Sequence, residues 1–479
     1  MKGPRMAVRI ITCVLCGLAC VCGCKSPQRI RDPEYVQVSY AARQSHQGPA
    51  AISAALSPIA PHLAGPHPVE EYIQVAILQN PEIQSARKRM EALAHQVPVA
   101  ASLQDPMFTA TVQPQPVQTA AGQQDMILSA SQKLPWFGKL ESRASVAEAQ
   151  TNVARAELAA VELATIARVK RAYYELYFIQ QAISVTDSEQ KLLVEIRDVA
   201  NVRYKAGRTS QQDVLRADVE ISAIENDLIQ LRQRLESGQA RLARLLHIAP
   251  QTDVLALDRL APEQVPQDLE WLQRVAVAAR PELHAQLAAI DRDRRIVELA
   301  RLDYKPDVTL GLSWIDVSSA GLSPIANGRD AVLLTAGINL PVYRKRLNSS
   351  VRSAESQAVA TARQYDSLRD GTLEEVTDLF AQAKSLQDMV ILFREAILPR
   401  ARQTLEVSSQ AYNVGEVDFL QLIDNWRELL RYEVMYHRLE ATLRQTMAEL
   451  ERVVGGFASQ NAEVIPAPGI EPQPLPPPE

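Results

Sequence analysis

Ser131-Gln132-Lys133-Leu134-Pro135-Trp136-Phe137-Gly138-Lys139 closes one kind of segment and opens another. Before it, Met126, Leu128 and Ala130 alternate with Ile127, Ser129 and Ser131, the period of a strand. After it, no proline interrupts residues 139–247. Leu158, Val161, Val169, Ala172, Leu176, Ile179 and Ile183 there fall at spacings built from threes and fours, the seam of a coiled coil.

The same junction occurs twice. Leu340-Pro341-Val342-Tyr343-Arg344-Lys345 matches Leu134–Lys139 at an offset of 206. Asn80-Pro81-Glu82-Ile83 matches Arg280-Pro281-Glu282-Leu283 at an offset of 200, and Tyr204-Lys205-Ala206-Gly207 matches Tyr412-Asn413-Val414-Gly415 at 208. Three ordered matches with small drift mark a duplication. The copies span about 67–247 and 267–456, joined by a Pro-containing linker at 248–266.

Each copy reads helix, strand, strand, long helix, turn, helix. The predicted helices are about 69–97, 139–203 and 209–247, then 268–302, 346–411 and 417–453. A helix of about 65 residues is ~98 Å long. The two shorter helices of each copy sum to nearly the same length, so they are expected to stack end to end beside the long one.

The predicted strands are 106–114, 125–134, 306–316 and 330–340, with loops at 115–124 and 317–329. Phe108, Ala110 and Val112 alternate with Met107, Thr109 and Thr111; Val308, Leu310, Leu312 and Trp314 alternate with Asp307, Thr309, Gly311 and Ser313. Val332, Leu334, Ala336 and Ile338 alternate in the same way. Strands of ~9–11 residues with this alternation match a bilayer-spanning barrel. Trp136, Phe137, Tyr304 and Tyr343 at the strand ends suit either a membrane interface or packing at strand–helix junctions. Four strands are too few to close a membrane barrel, because the smallest have ~8. The chain must therefore oligomerise, as a trimer with twelve strands or as a dimer.

The N-terminus directs the chain outward. Lys2, Arg5 and Arg9 precede an apolar run from Ile10 to Val21 that is too short to span a membrane. This is a secretory signal, residues 1–23, ending in Val21-Cys22-Gly23-Cys24. That sequence looks like a lipobox, with Cys24 the lipidated residue and Cys20 the weaker candidate. Lys25 follows Cys24, where an Asp would suggest inner-membrane retention, so the outer membrane is favoured. Residues 24–66 read as a tether and residues 457–479 as a disordered Pro-rich tail.

All five cysteines lie in the N-terminal segment, so the mature body has no disulfide frame and no thiol chemistry. The net charge is −5, and losing the three positive charges of residues 1–23 leaves about −8, which argues against nucleic acid as a partner. The seven histidines show no pair at metal-ligand spacing, and no nucleophile elbow or phosphate loop occurs. No catalytic residue, metal site or cofactor is expected. The rival reading is a lipid-anchored periplasmic coiled-coil adaptor or structural protein. Such a protein would carry one hairpin between β-rich halves, not a duplicated pattern.

Together, Asn80-Pro81-Glu82, Ser131–Lys139 and the segment Arg203-Tyr204-Lys205-Ala206-Gly207-Arg208-Thr209-Ser210-Gln211-Gln212-Asp213-Val214-Leu215 resemble the outer-membrane efflux protein family, the TolC-like outer membrane factors. The resemblance covers nearly all of 67–456, and Leu134–Lys139 looks most like members linked to heavy-metal pumps of the resistance–nodulation–division (RND) type. It implies a mainly α fold with a transmembrane β part. Specifically, it implies a homotrimer with a 12-stranded barrel in outer-membrane lipid and a helical tunnel of about 100 Å in the periplasm. Such a duct passively conducts metal ions, drugs or other cargo received from a periplasmic adaptor and an inner-membrane RND pump.

The hairpin tips are expected at Tyr204, Gly207 and Arg208 in copy one and at Gly415 and Glu416 in copy two, as the adaptor contacts. By resemblance, Asp213, Tyr412 and Asp424 occupy gate positions, where threefold symmetry would make each acid a ring of carboxylates. Arg216 and Gln421 stand where other members can have further gate polars. Pro399, inside the second long helix, has no counterpart in copy one and predicts a kink there.

Overall fold

The computed structural model describes residues 61–261, 264–319 and 327–456, together with Asp32 and Tyr35. The signal segment, Cys24, most of the expected tether and the Pro-rich tail lie outside the described residues.

The elements follow in the order β1 (Gly65–Pro66), α1 (Val69–Gln79), α2 (Pro81–Ala101), β2 (Met107–Thr119), β3 (Gly122–Leu134), α3 (Lys139–Lys205), α4 (Gln211–Leu246) and β4 (Val254–Leu255). The second copy gives α5 (Leu269–Ala279), α6 (Pro281–Leu302), β5 (Val308–Ser318), β6 (Ala331–Ile338) and α7 (Arg344–Leu392). A π-helical turn (Phe393–Ile397), α8 (Leu398–Val414) and α9 (Phe419–Val454) complete it. Helix α3 packs against both α2 and α4, and α7 against both α6 and α9. Among the described residues, no helix is long and apolar enough to cross a membrane.

The helices predicted at 69–97 and 268–302 are each divided in two. Pro81 and Pro281 bias the preceding residue away from the helical region, so Asn80 (ψ 124°) and Arg280 (ψ 119°) break the helix. Asn80 then caps α2: its Oδ1 accepts from the Glu82 amide at 2.9 Å, and its Nδ2 donates to the Leu245 carbonyl at 2.8 Å. Arg280 cannot cap. It is buried instead, with Nη1 donating to Thr372 Oγ1 and to Glu375 Oε2, both at 3.0 Å.

Strands β2, β3, β5 and β6 form one antiparallel sheet in that order. Its register aligns Phe108, Ala130, Leu312 and Leu334 across all four strands, and Ala110, Leu128, Trp314 and Val332 in the next such row. The other face carries Met107, Ser131, Gly311 and Thr335. A slip of one residue would exchange the faces, so the apolar pattern fixes this pairing. Phe108, Leu312, Val332 and Leu334 are all exposed in the single chain. Phe137 and Tyr343, at the strand ends, are also exposed, at 88% and 75%.

Copy one differs from the predicted strands. Its hairpin continues through most of 115–124 and turns only at Ala120-Ala121. The ladder is broken between Val112 and Val117, where Pro114 and Pro116 have no amide to donate. Gly122 closes the turn at φ +142°, and a Cβ there would lie 2.0 Å from the Ser318 carbonyl oxygen, so only glycine fits.

The linker and the end of the tether are ordered as well. β1 pairs in parallel with β4, and Val254 and Ala256 are fully buried in the core around Tyr72, Tyr173 and Leu242. Tyr72 donates to the Leu255 carbonyl at 3.0 Å, Tyr173 accepts from the Leu257 amide at 3.0 Å, and the Gln180 side chain bonds both the amide and the carbonyl of Ala256. The segment joining the copies is thus a strap fixed across the first hairpin.

Candidate functional site

Both hairpins end in the same cap. The Arg208 amide donates to the Arg203 carbonyl at 2.9 Å, and the Glu416 amide to the Ala411 carbonyl at 2.9 Å. These are the 6→1 bonds of a helix closed by a left-handed residue, supplied here by Gly207 (φ +70°) and Gly415 (φ +89°). Tyr204, Gly207, Arg208, Gly415 and Glu416 are all exposed at the two tips.

Arg203 holds the tips together. Its Nη1 donates to the Asn413 carbonyl at 2.7 Å and to the Tyr412 carbonyl, and its guanidinium lies 4.7 Å from the centre of the Tyr412 ring. Tyr412 is 3% exposed and packs on Phe419 with ring centres 5.5 Å apart. Its hydroxyl is buried with no well-aligned hydrogen bond, and burial pushes the phenol up from its ordinary value against the opposing pull of the Thr209 side chain. The two copies differ sharply here. Tyr204, the repeat equivalent of Tyr412, is 41% exposed, and Ala411 stands where a second clasping arginine would be. The clasp therefore ties hairpin one to hairpin two in a single direction.

The three residues expected at the gate fall into two groups. Asp213 lies in the first turn of α4, accepts from the Thr209 hydroxyl, and is near enough to Tyr412 to act on its phenol. Asp424 is more exposed and bonds Arg427 Nη1 at 2.9 Å. The same guanidinium reaches across the repeats to Glu220, with Nε donating to its carboxylate at 3.1 Å. The Glu220 hydrogen bond, with Asp424 beside it, holds the Arg427 guanidinium above its ordinary value. Between these groups, Trp426 is 1% exposed in a core with Leu193, Ile224, Leu405 and Phe419, where both hairpins meet. Among the described residues, no cluster of three His, Cys, Asp or Glu side chains could hold a metal ion.

The outer membrane efflux protein family model matches residues 72–246 and 272–456, one stretch in each copy. The chain belongs to that family. It is 23% identical over 433 residues to the cobalt-zinc-cadmium resistance protein CzcC of Cupriavidus metallidurans, covering 88% of this chain and 97% of CzcC. It is 27% identical over 288 residues to protein CyaE of Bordetella pertussis, covering 57% and 60% of the two chains. The outer-membrane channel OprN superimposes with a TM-score of 0.70 at 22% identity, covering 84% of this chain and 95% of OprN. The transmembrane channel CusC gives 0.70 at 18%, covering 82% and 94%. As a member of the outer membrane efflux family, the chain is an outer-membrane channel component of an efflux system. Its four-stranded sheet and long helices correspond to the barrel and the helical tunnel of these TolC-like channels.

Sequence reading missed Arg203, Glu220 and Arg427, the side chains that join the two copies at the tip of this efflux channel. Arg203 opens the Arg203–Leu215 segment, but its target is the backbone of residues 412–413, which no side-chain pattern reports. It also missed Glu189 on α3, which is 7% exposed with Oε2 unpartnered. Burial, then the nearby Glu433 carboxylate, pushes Glu189 up to about 7, against the pull of Trp426 and Arg402.

Proposed function

We propose that three copies of this chain form the exit duct of a tripartite metal-efflux system. In this reading, the four-stranded sheets close into a 12-stranded barrel, and the helices build a periplasmic tunnel about 100 Å long. The exposed tips around Gly207 and Gly415 dock on a periplasmic adaptor, which couples the duct to an inner-membrane RND pump. Cys24 carries the lipid that adds a second hold on the outer membrane. The duct itself is passive, with energy supplied by the inner-membrane partner, so the chain has no enzymatic role.

The observation that carries the reading is the sheet: four strands with one apolar face, one polar face and two unpaired edges. An open sheet of this kind is stable in a bilayer only when closed. Divalent metal cargo is supported by the end-to-end similarity to a cobalt-zinc-cadmium resistance protein. Acidic side chains at Asp213 and Asp424, tripled by symmetry, would make the tunnel mouth favourable to cations. Gating would involve Asp213 and Tyr412 at the clasp and Asp424 beside Arg427.

Deletion of the gene in its host tests the function. The expected result is lowered tolerance to cobalt, zinc or cadmium, restored by the intact gene. Unchanged metal tolerance with lowered tolerance to organic drugs would reject the metal cargo and keep the duct.

A further inference from the structure

At the seam between the two copies, β3 pairs with β5, and an ion pair is buried where the strands meet the helices. Lys139, the first residue of α3, places Nζ 2.8 Å from Asp307 Oδ1 and 3.0 Å from the Lys305 carbonyl oxygen. The two side chains are 4% and 8% exposed. The Trp136 amide also donates to Asp307, at 3.2 Å.

The duplication creates a second set of the same residues at the outer edges of the sheet. Lys345 is the equivalent of Lys139 in the matched Leu-Pro junctions. The hairpin registers fix the other partner. Phe108 faces Ala130 in copy one, and Leu310 faces Ala336 in copy two, so Asp105 stands where Asp307 stands. Asp105 and Lys345 are both exposed, and among the described residues neither has an ion-pair partner.

We infer that Lys345 of one protomer pairs with Asp105 of the next, reproducing Lys139–Asp307 between subunits. The inference rests on the trimeric duct proposed above. It requires β6 to pair with β2 of the neighbouring chain in the β3–β5 register. In that register Gln132 faces Leu310, Ala130 faces Leu312 and Leu128 faces Trp314. The equivalent intersubunit pairs are Ile338 with Phe108, Ala336 with Ala110 and Leu334 with Val112. Every pair sets apolar against apolar on one face, which a one-residue slip would destroy. The ion pair then sits at the foot of each of the three subunit seams, and it selects this register because opposite charges meet only there.

The test uses the full-length protein purified from membranes, with the native lipobox retained. A chain carrying Asp105→Cys and Lys345→Cys is treated with a short bismaleimide, because a lysine-length ion pair holds its Cα atoms farther apart than a disulfide tolerates. The described body has no cysteine of its own, so the background is low. The expected result is covalent dimers and trimers on a boiled denaturing gel, absent from either single-cysteine variant. In parallel, Lys345→Asp and Asp105→Lys should each lower the temperature at which the trimer dissociates, and the double exchange should restore it. A particle whose measured mass is trimeric, with no crosslinked ladder and no rescue, overturns the pair while leaving the trimer intact. A particle that is not trimeric overturns both.

Discussion

Arg203 at the end of one hairpin and Tyr412 at the end of the other are the point where the two halves of the duplication are fastened together. The guanidinium bonds the Tyr412 and Asn413 carbonyls and covers the Tyr412 ring at 4.7 Å. Both carbonyls lie at the C-terminal end of α8, where the Tyr412 oxygen also accepts from the Gly415 amide, so a cation placed there also complements the helix dipole. Removing it in Arg203→Ala should loosen both tips. Hydrogen exchange should accelerate at the amides of Gly207, Arg208, Gly415 and Glu416 while the amides of the strap at 254–257 stay protected. Unchanged exchange at the tips would mean that the hairpins are held elsewhere.

Tyr412→Phe should leave the periplasmic helices as stable as before, or stabilise them by about 1 kcal/mol. The hydroxyl makes no well-aligned hydrogen bond, with only the Thr209 side chain close by, and burying a poorly paired hydroxyl is costly. Urea unfolding followed by helical circular dichroism reads this directly. A clear loss of stability would show that the phenol makes a bond in the assembled protein.

Arg427→Ala should weaken the same region more than Asp424→Ala. Asp424 is exposed, so its ion pair is worth roughly 0–1 kcal/mol. Glu220 is 18% exposed and bonded to Arg427 from the other repeat, so its charge is harder to leave unpaired. Equal unfolding midpoints for the two variants would refute this ranking.

Much of this architecture was legible in the sequence, and the reasons are physical. Alternation in the strands reads directly because a membrane sheet must present one apolar face, and the long helices read directly because α3 contains no breaker. The breaks at Asn80 and Arg280 carried a local signal in the prolines that follow them. Elsewhere, tertiary contacts decided the outcome. The strap at 254–257 is held by the pairing of Val254 and Leu255 with Gly65 and Pro66, and by the bonds of Tyr72, Tyr173 and Gln180 to its backbone. Asp213 and Tyr412 were singled out by resemblance and do lie together; Asp424 was singled out in the same way, yet it belongs to the Arg427–Glu220 group.

Pro399 illustrates a partly legible feature. The sequence placed a kink there, and the chain forms a π-helical turn at Phe393–Ile397 just before it, with the Leu398 amide bonding the Phe393 carbonyl. The turn adds a residue where the proline cannot donate, and α3 has no equivalent. Pro399→Ala should relax the turn to regular helix and slow hydrogen exchange across 400–414. Exchange equal to that of the native chain would separate the π turn from the proline.

Stability of the lower hairpins should depend on pH through Glu189. Its folded value is raised to about 7 from 4.5, so between those values the native state keeps a proton that the unfolded chain has released. Stability should therefore fall as pH rises from about 4.5 to 7, by on the order of 3 kcal/mol, and level off above. Glu189→Gln should remove this part of the slope in urea titrations at several pH values. An unchanged slope would place the titration in another group.

In the proposed assembly, this chain is a conducting duct whose periplasmic end is fastened by Arg203. Current through single particles of the purified full-length protein in a voltage-clamped bilayer tests that claim most directly. Discrete current steps are expected for the native protein, with larger steps for Arg203→Ala at unchanged particle mass. Intact particles that insert but pass no current in either form would contradict it.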